Sequence, residues 1–242
     1  MPPATFAFLL TLLTGLQGPV DAPRAREDAL VADATASLRE IQAVPDRGIP
    51  TSLLREARGL VIVPSMKKVG FVVTGQIGRG LALVRREDGS WSPPIFIRVV
   101  GLGFGAQAGV EAKDLILICR TERSMRWLTS GAEITLGADI GAAAGPVGRE
   151  LKAATNLQLN AEMLSYSRSR GLFAGVAVSG GKLRVDGQAV ADYYRLPGLS
   201  VADLVKGTNV PVPASAVRLA QELARATNGP PVEVVPPLGD GR

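Results

Sequence analysis

The chain has 242 residues, 46% of them hydrophobic but only 5% aromatic, with 28 glycines, one cysteine and no histidine. Lacking histidine, it is without the commonest general base, the usual serine and cysteine triads and the ordinary zinc sites. A lone cysteine rules out an internal disulfide, and a net charge of +5 points toward anionic partners rather than chemistry on a bound metal.

The first element is an uncharged apolar run, residues 4–13, of signal-peptide length and too short to span a bilayer. Val20, Asp21 and Ala22 supply small residues where a signal peptidase reads, although no Lys or Arg precedes the run. Residues 1–22 are therefore expected to be an export signal, which makes the protein periplasmic or secreted. A retained membrane-peripheral anchor is the rival reading. No cysteine follows the run, so a lipid-modified lipoprotein is excluded.

Residues 28–44 read as an amphipathic helix, with Leu30, Ala34, Leu38, Ile41 and Val44 on one side. Its charges lean acidic, which favours packing on a core over lying on an anionic bilayer. Pro50 opens a short second helix that Gly59 stops. From Leu60 the apolar period changes from helical to two. Strands are expected at residues 60–63, 69–84, 95–110, 114–120, 134–143, 157–165, 172–179 and 183–185, with turns at Asp88-Gly89 and Gly180-Gly181. Thr121 is placed to cap a short helix carrying Met125, Trp127 and Leu128 that ends at Gly131. Helices return at residues 188–194, 201–205 and 213–227. The fold class is α+β: a glycine-rich, curved, half-barrel-like antiparallel sheet flanked by N- and C-terminal helices. Residues 23–229 form one domain, and the Pro/Gly-rich residues 230–242 read as a disordered tail.

Two stretches concentrate the positive charge. Residues 67–98 and residues 141–185 each hold six basic and two acidic groups, while the rest of the chain beyond Ala22 sums to about −2. Both stretches are glycine-rich strand regions. They suit phosphate-bearing partners, or else form a merely solvated face. Nucleic acid is disfavoured, because the basic stretches lack interleaved aromatics.

Several motifs fail as signs of chemistry. Gly101-x-Gly103-x-x-Ala106 matches a dinucleotide fingerprint in form, but the alternation continues past it and no helix opens. Strict alternation would put glycines 101, 103, 105 and 109 on one face and Leu102 and Phe104 on the other, as in a close-packed or bent strand. Gly180-Gly181-Lys182 lacks the leading glycine and the trailing Ser or Thr of a P-loop. Ser165, Ser167 and Ser169 alternate beside Arg168 and Arg170 but have no histidine to serve as base. Cys119 sits in the apolar run 115–119 and reads as a core residue rather than a nucleophile.

Other motifs cohere. Ala57-Arg58-Gly59-Leu60-Val61-Ile62-Val63-Pro64 is followed by Lys68-x-Gly70-Phe71 and Gly75-x-x-Gly78-x-Gly80. Trp91-Ser92-x-Pro94, the glycine alternation of 101–109 and Asp114-Leu115-Ile116 come next. Gly145-Pro146-x-Gly148-Arg149, the Tyr166–Gly175 segment and Tyr193-Tyr194 complete the series. In this order the motifs resemble the SYLF family of lipid-binding domains. The resemblance implies a non-enzymatic domain that binds phosphoinositides or other anionic lipids without a cofactor, some eukaryotic relatives also binding actin. Lys68, Arg149 and Arg170 are the basic groups inside matching motifs. With Lys67 and Arg168 they form the expected contact set for anionic headgroups. The alternative is an envelope scaffolding module whose partner is a protein and whose basic groups only aid solubility.

Overall fold

A computed structural model describes residues 22–43, 48–69, 75–104, 114–147, 160–169, 172–207 and 210–227. The expected leader, apart from Ala22, and the expected tail lie outside them. Helix α1, Ala22–Gln42, starts six residues before the expected boundary. Val31, Ala34, Leu38 and Ile41 recur at three- and four-residue spacing and are buried, so this stripe fixes its inward face. Helix α2 is Thr51–Glu56. Eleven strands follow among the described residues: β1 Gly59–Val63, β2 Lys67–Val69, β3 Gly75–Val84, β4 Ile95–Phe104, β5 Asp114–Cys119, β6 Ile134–Thr135, β7 Ala142–Ala144, β8 Met163–Ser169, β9 Leu172–Gly175, β10 Val178–Ser179 and β11 Lys182–Val185. Helix α3, Arg126–Ser130, lies between β5 and β6. The Thr121 hydroxyl accepts from the Ser124 amide at 3.1 Å at its approach, and Gly131 ends it at φ 69°. Helices α4 Gly187–Tyr194, α5 Val201–Lys206 and α6 Ala214–Thr227 close the chain.

The main path through the sheet runs β6-β11-β4-β3-β1-β5-β8-β7, and every pair along it is antiparallel except β7–β8. Residues 134–143, expected as one strand, instead form β6 at one end of this path and β7 at the other. Six residues separate Thr135 from Ala142, and such a tether spans at most ~25 Å. The two ends of the sheet must therefore approach each other, and β7 does touch β10, itself paired to β4. The sheet is a curled half-barrel.

Register divides the core between two faces. Leu60 and Ile62 share one face with Leu81, Leu83, Ile116 and Ile118, whereas Val61 and Val63 share the other with Ala82, Leu115 and Leu117. The first face carries α1, because Arg79 on it reaches Glu27 of that helix. Helices α4 and α6 pack against α1. Tyr193 of α4 lies tilted on Phe96 of the sheet at 4.9 Å. The second face lines the concavity. Both faces are apolar and covered, which is why β1 and β5 read as unbroken hydrophobic runs.

Strand β4 departs from strict alternation. Gln76 pairs with Leu102 but Gly78 pairs with Val99, so β4 carries one extra residue there. Gly101 takes it up at φ +74°, the left-handed region that costs an L-residue about 1–2 kcal/mol. The bulge returns Leu102 to the face of Val99, where it is 1% exposed, and leaves Val100 at 48%. Strict alternation had placed Leu102 opposite Val99, and one inserted residue reverses that. Replacement of Gly101 by Ala is expected to cost about 1–2 kcal/mol, read as a lower urea midpoint at unchanged slope.

Candidate functional site

One rim of the half-barrel gathers the end of β1, all of β2, the start of β5 and the end of β8. The polypeptide turns sharply between β1 and β2, and Ser65 adopts φ 52° there. A non-glycine residue holds that conformation only when its surroundings compensate. The compensation comes from Asp114, 2% exposed, whose Oδ1 accepts the Ser65 amide at 3.0 Å. The Asp114 Oδ2 accepts Arg168 Nε at 2.7 Å and Nη2 as well, so the guanidinium fork grips one buried carboxylate oxygen. Arg168 Nη1 also pairs with Glu40 of α1. A single chain of contacts thus runs from α1 through β8 and β5 to the turn that presents β2.

The Tyr166–Gly175 segment forms the β8–β9 hairpin. Tyr166 is fully buried, stacks on Phe173 at 5.4 Å and 8°, and donates its hydroxyl to the Pro146 carbonyl at 3.1 Å. A Cβ on Gly145 would fall 2.1 Å from the Tyr166 ring, so the Gly145-Pro146 pair exists to admit the tyrosine. Burial pushes the Tyr166 phenol well above its ordinary range. Ser165 and Ser167 point to the concave face. The Ser165 hydroxyl donates to the Ala143 and Val176 carbonyls, and Ser167 is 3% exposed with no hydrogen-bond partner for its hydroxyl among the described residues. Burial pushes the Cys119 thiol up to about 12, as an inert core cysteine requires.

The five expected contact residues fare differently. Lys67 is exposed on β2, opposite Ile77 of β3. Lys68 occupies the next position, opposite Gln76. Arg149 and Arg170 lie outside the described residues. Arg168 is brought to the same rim as Lys67, but its side chain is only 19% exposed and is held by Asp114 and Glu40. Its charge is spent on holding the rim together. Asp114, Ser65 and Glu40 are the residues that sequence reasoning missed. Asp114 stood in a recognised motif, yet nothing in its spacing from Arg168, 54 positions away, shows that β5 and β8 pair.

A second buried network anchors α1 farther along the sheet. Arg79 Nη2 reaches both Glu27 oxygens at 2.7 Å and stands 3.7 Å from Asp186 Oδ2, which Arg98 Nε binds at 2.6 Å. Burial alone would raise the Asp186 carboxyl, but the Arg98 bond, the Ala189 amide and the charges of Arg98 and Arg79 together hold it below the usual carboxylate range.

Asp114→Ala is expected to destabilise the fold by about 3–5 kcal/mol because it strands a half-buried guanidinium, while Asp114→Leu combined with Arg168→Met recovers part of that loss. Urea unfolding of the two variants checks the order. A depressed folded pKa at Asp186 contributes stability that is present above the ordinary carboxylate range and is lost as pH falls through the lower folded value. Asp186→Asn should therefore flatten the acid limb of the stability profile between neutral pH and about pH 3, read as denaturation midpoints across that range.

Comparison with known proteins places these features. Residues 100–226 match the family model described as Ysc84: Las17-binding protein actin regulator. Human SH3 domain-containing YSC84-like protein 1 is 36% identical over 179 residues, 74% of this chain and 52% of that protein. Its Xenopus laevis counterpart is 40% identical over 139 residues, 57% of this chain and 41% of that protein. LAS seventeen-binding protein 3 of Saccharomyces cerevisiae is 33% identical over 184 residues, 74% of this chain and 40% of that protein. The chain thus spans about half the length, or less, of these relatives, whose names are those of binding proteins rather than enzymes. The matched region includes the bulge, Asp114, the Tyr166 hairpin and the C-terminal helices, and the chain belongs to the Ysc84 family, whose domain is the SYLF domain that its motifs resemble.

Proposed function

We propose that the chain binds anionic, phosphate-bearing lipid headgroups at the rim built around β2. Lys67 and Lys68 are the contacts proposed on β2, and Arg149 and Arg170 are added to them only as the other basic groups of the matching motifs. Arg168 is a positioning residue: through Asp114 and the Ser65 amide it holds the turn from which β2 departs. The observation that carries this reading is Lys67, an exposed cation on a short strand whose entry turn is braced by a buried ion pair. Each basic group near an anionic surface contributes on the order of 1 kcal/mol, less as salt rises, so the contacts act cumulatively. In this reading the protein is exported, as its apolar leader leads one to expect, and meets the membrane from outside the cytoplasm. Mass spectrometry of the mature N-terminus tests that part separately.

A second reading, a protein-interaction module, draws support from the family description, which names Las17 binding and actin regulation. Vesicle flotation separates the two. Retention on anionic vesicles should exceed that on neutral ones, fall in high salt, and drop about tenfold or more in Lys67→Glu/Lys68→Glu. Equal retention on neutral and anionic vesicles overturns the lipid reading.

A further inference from the structure

The outer face of the sheet loses its helical cover in steps toward the β2 rim. Phe96 of β4 is buried against Tyr193 of α4. Two residues on, Arg98 is half exposed, its Nε held by Asp186 at 2.6 Å. Two residues further, Val100 stands open to solvent just before the Gly101 bulge. Alternation puts these three side chains on one face. It is the face on which Arg79, opposite Arg98, reaches Glu27 of α1.

Register extends that face sideways within paired strands. On one flank Arg184 of β11 lies opposite Arg98, and Lys182 lies opposite Val100. Directly opposed residues share a face, with Cβ atoms about 5 Å apart. On the other flank Ile77 of β3, two residues before Arg79, faces the bulge, and Lys67 of β2 lies opposite Ile77. Lys67, Ile77, Val100 and Lys182 thus cross four neighbouring strands, β2-β3-β4-β11, over about 14 Å.

The carboxylates on this face are largely committed. Glu27 and Asp186 are nearly inaccessible and serve Arg79 and Arg98. The Lys182 ammonium donates to Glu133 at 2.7 Å, an exposed pair of the kind that contributes little. Arg184 and Lys67 are exposed, and among the described residues neither has a carboxylate within ion-pair distance. An exposed valine by itself is ordinary. Here it lies between an ammonium on β11 and one on β2, with Arg98 and Arg184 on the next row.

We propose that the β4–β11 part of this outer face, Val100 with Lys182 and Arg184 beside it, lies on the same anionic bilayer as Lys67. The proposal rests on the reading of the β2 rim as a lipid contact and extends it, since a membrane that meets Lys67 on this face meets Val100 and Lys182 in the same row. The cations pair with headgroup phosphates, the guanidinium in bidentate fashion, and the apolar side chain among them enters the boundary between headgroups and acyl chains. Spread over four strands rather than along one line, the cations suit a planar array of phosphates better than a single extended acidic segment.

The experiment follows flotation of the full chain with anionic and neutral vesicles, for the unmodified protein and for Lys182→Gln/Arg184→Gln, Val100→Trp and Lys67→Glu/Lys68→Glu. Lys182→Gln/Arg184→Gln should keep its melting temperature and lose about tenfold in retention on anionic vesicles. The introduced indole of Val100→Trp should shift its emission to the blue on anionic vesicles alone and be quenched by bromine-labelled acyl chains. Trp91 and Trp127 are buried and give a constant background. Emission that does not move in vesicle-bound Val100→Trp overturns the proposal, whatever the stability of the other variants. So does undiminished retention of Lys182→Gln/Arg184→Gln; if Lys67→Glu/Lys68→Glu still loses retention, the rim reading survives without this face. Retention that follows Lys182 and Arg184 but ignores Lys67→Glu/Lys68→Glu sinks the rim reading and leaves the β4–β11 face standing. Equal retention of the unmodified chain on both vesicles removes both. A labelled Glu/Ser peptide is titrated in parallel: if its binding depends on Lys182 and Arg184 while vesicle retention does not, the face belongs to a protein partner and the proposal falls.

Discussion

Asp114 accepts three hydrogen bonds while almost fully shielded from water, and much of the rim depends on that carboxylate. A buried charge is tolerated only when its partners replace the lost hydration. Here the partners come from three places: the Ser65 amide in a left-handed turn, the Arg168 guanidinium on β8 and, through Arg168, Glu40 on α1. The same interaction therefore fixes the direction of the chain leaving β1, the seating of the first helix and the pairing of two central strands at their polar end. The position of β2 and its lysines follows from this tie.

Arginine serves this fold in several distinct ways. Arg168 and Arg79 are structural ions, each committed to a carboxylate that is nearly inaccessible. Arg85 and Arg86 terminate helices: Arg86 donates to the Leu204 and Val205 carbonyls of α5, and Arg85 does the same for α2. Arg55 and Arg58 have no such employment among the described residues. Net positive charge alone does not separate these roles, because it counts a guanidinium gripping Asp114 and one open to a partner equally.

The hairpin that most resembles the family earns its pattern through packing. Tyr166 needs Gly145 beneath its ring, Phe173 beside it and the Pro146 carbonyl at its hydroxyl, so two motifs 20 residues apart in sequence meet around one side chain. The serines on either side of it face the concavity, and Ser165 ties β8 to the carbonyls of neighbouring chain. A motif of this kind preserves a shape, and the shape in turn keeps the polar end of β8 where Arg168 can reach Asp114.

Much of this was legible in the one-dimensional pattern. The two periods, 3.6 and 2, separate helices from strands, the double-faced apolar runs of β1 and β5 announce burial on both sides, and Thr121, Gly131 and Gly180 mark ends and turns through local chemistry. Such signals survive in sequence because each depends on neighbours a few residues away. Register, closure and charge pairing do not survive in that form. One inserted residue at Gly101 returned Leu102 to the concave face, and a stretch read as one strand became the two ends of a curled sheet. Arg168, expected among the headgroup contacts, found Asp114 across a strand pair. Those outcomes depend on which strands lie side by side, and only the folded chain brings residues 50 and more positions apart within hydrogen-bonding distance.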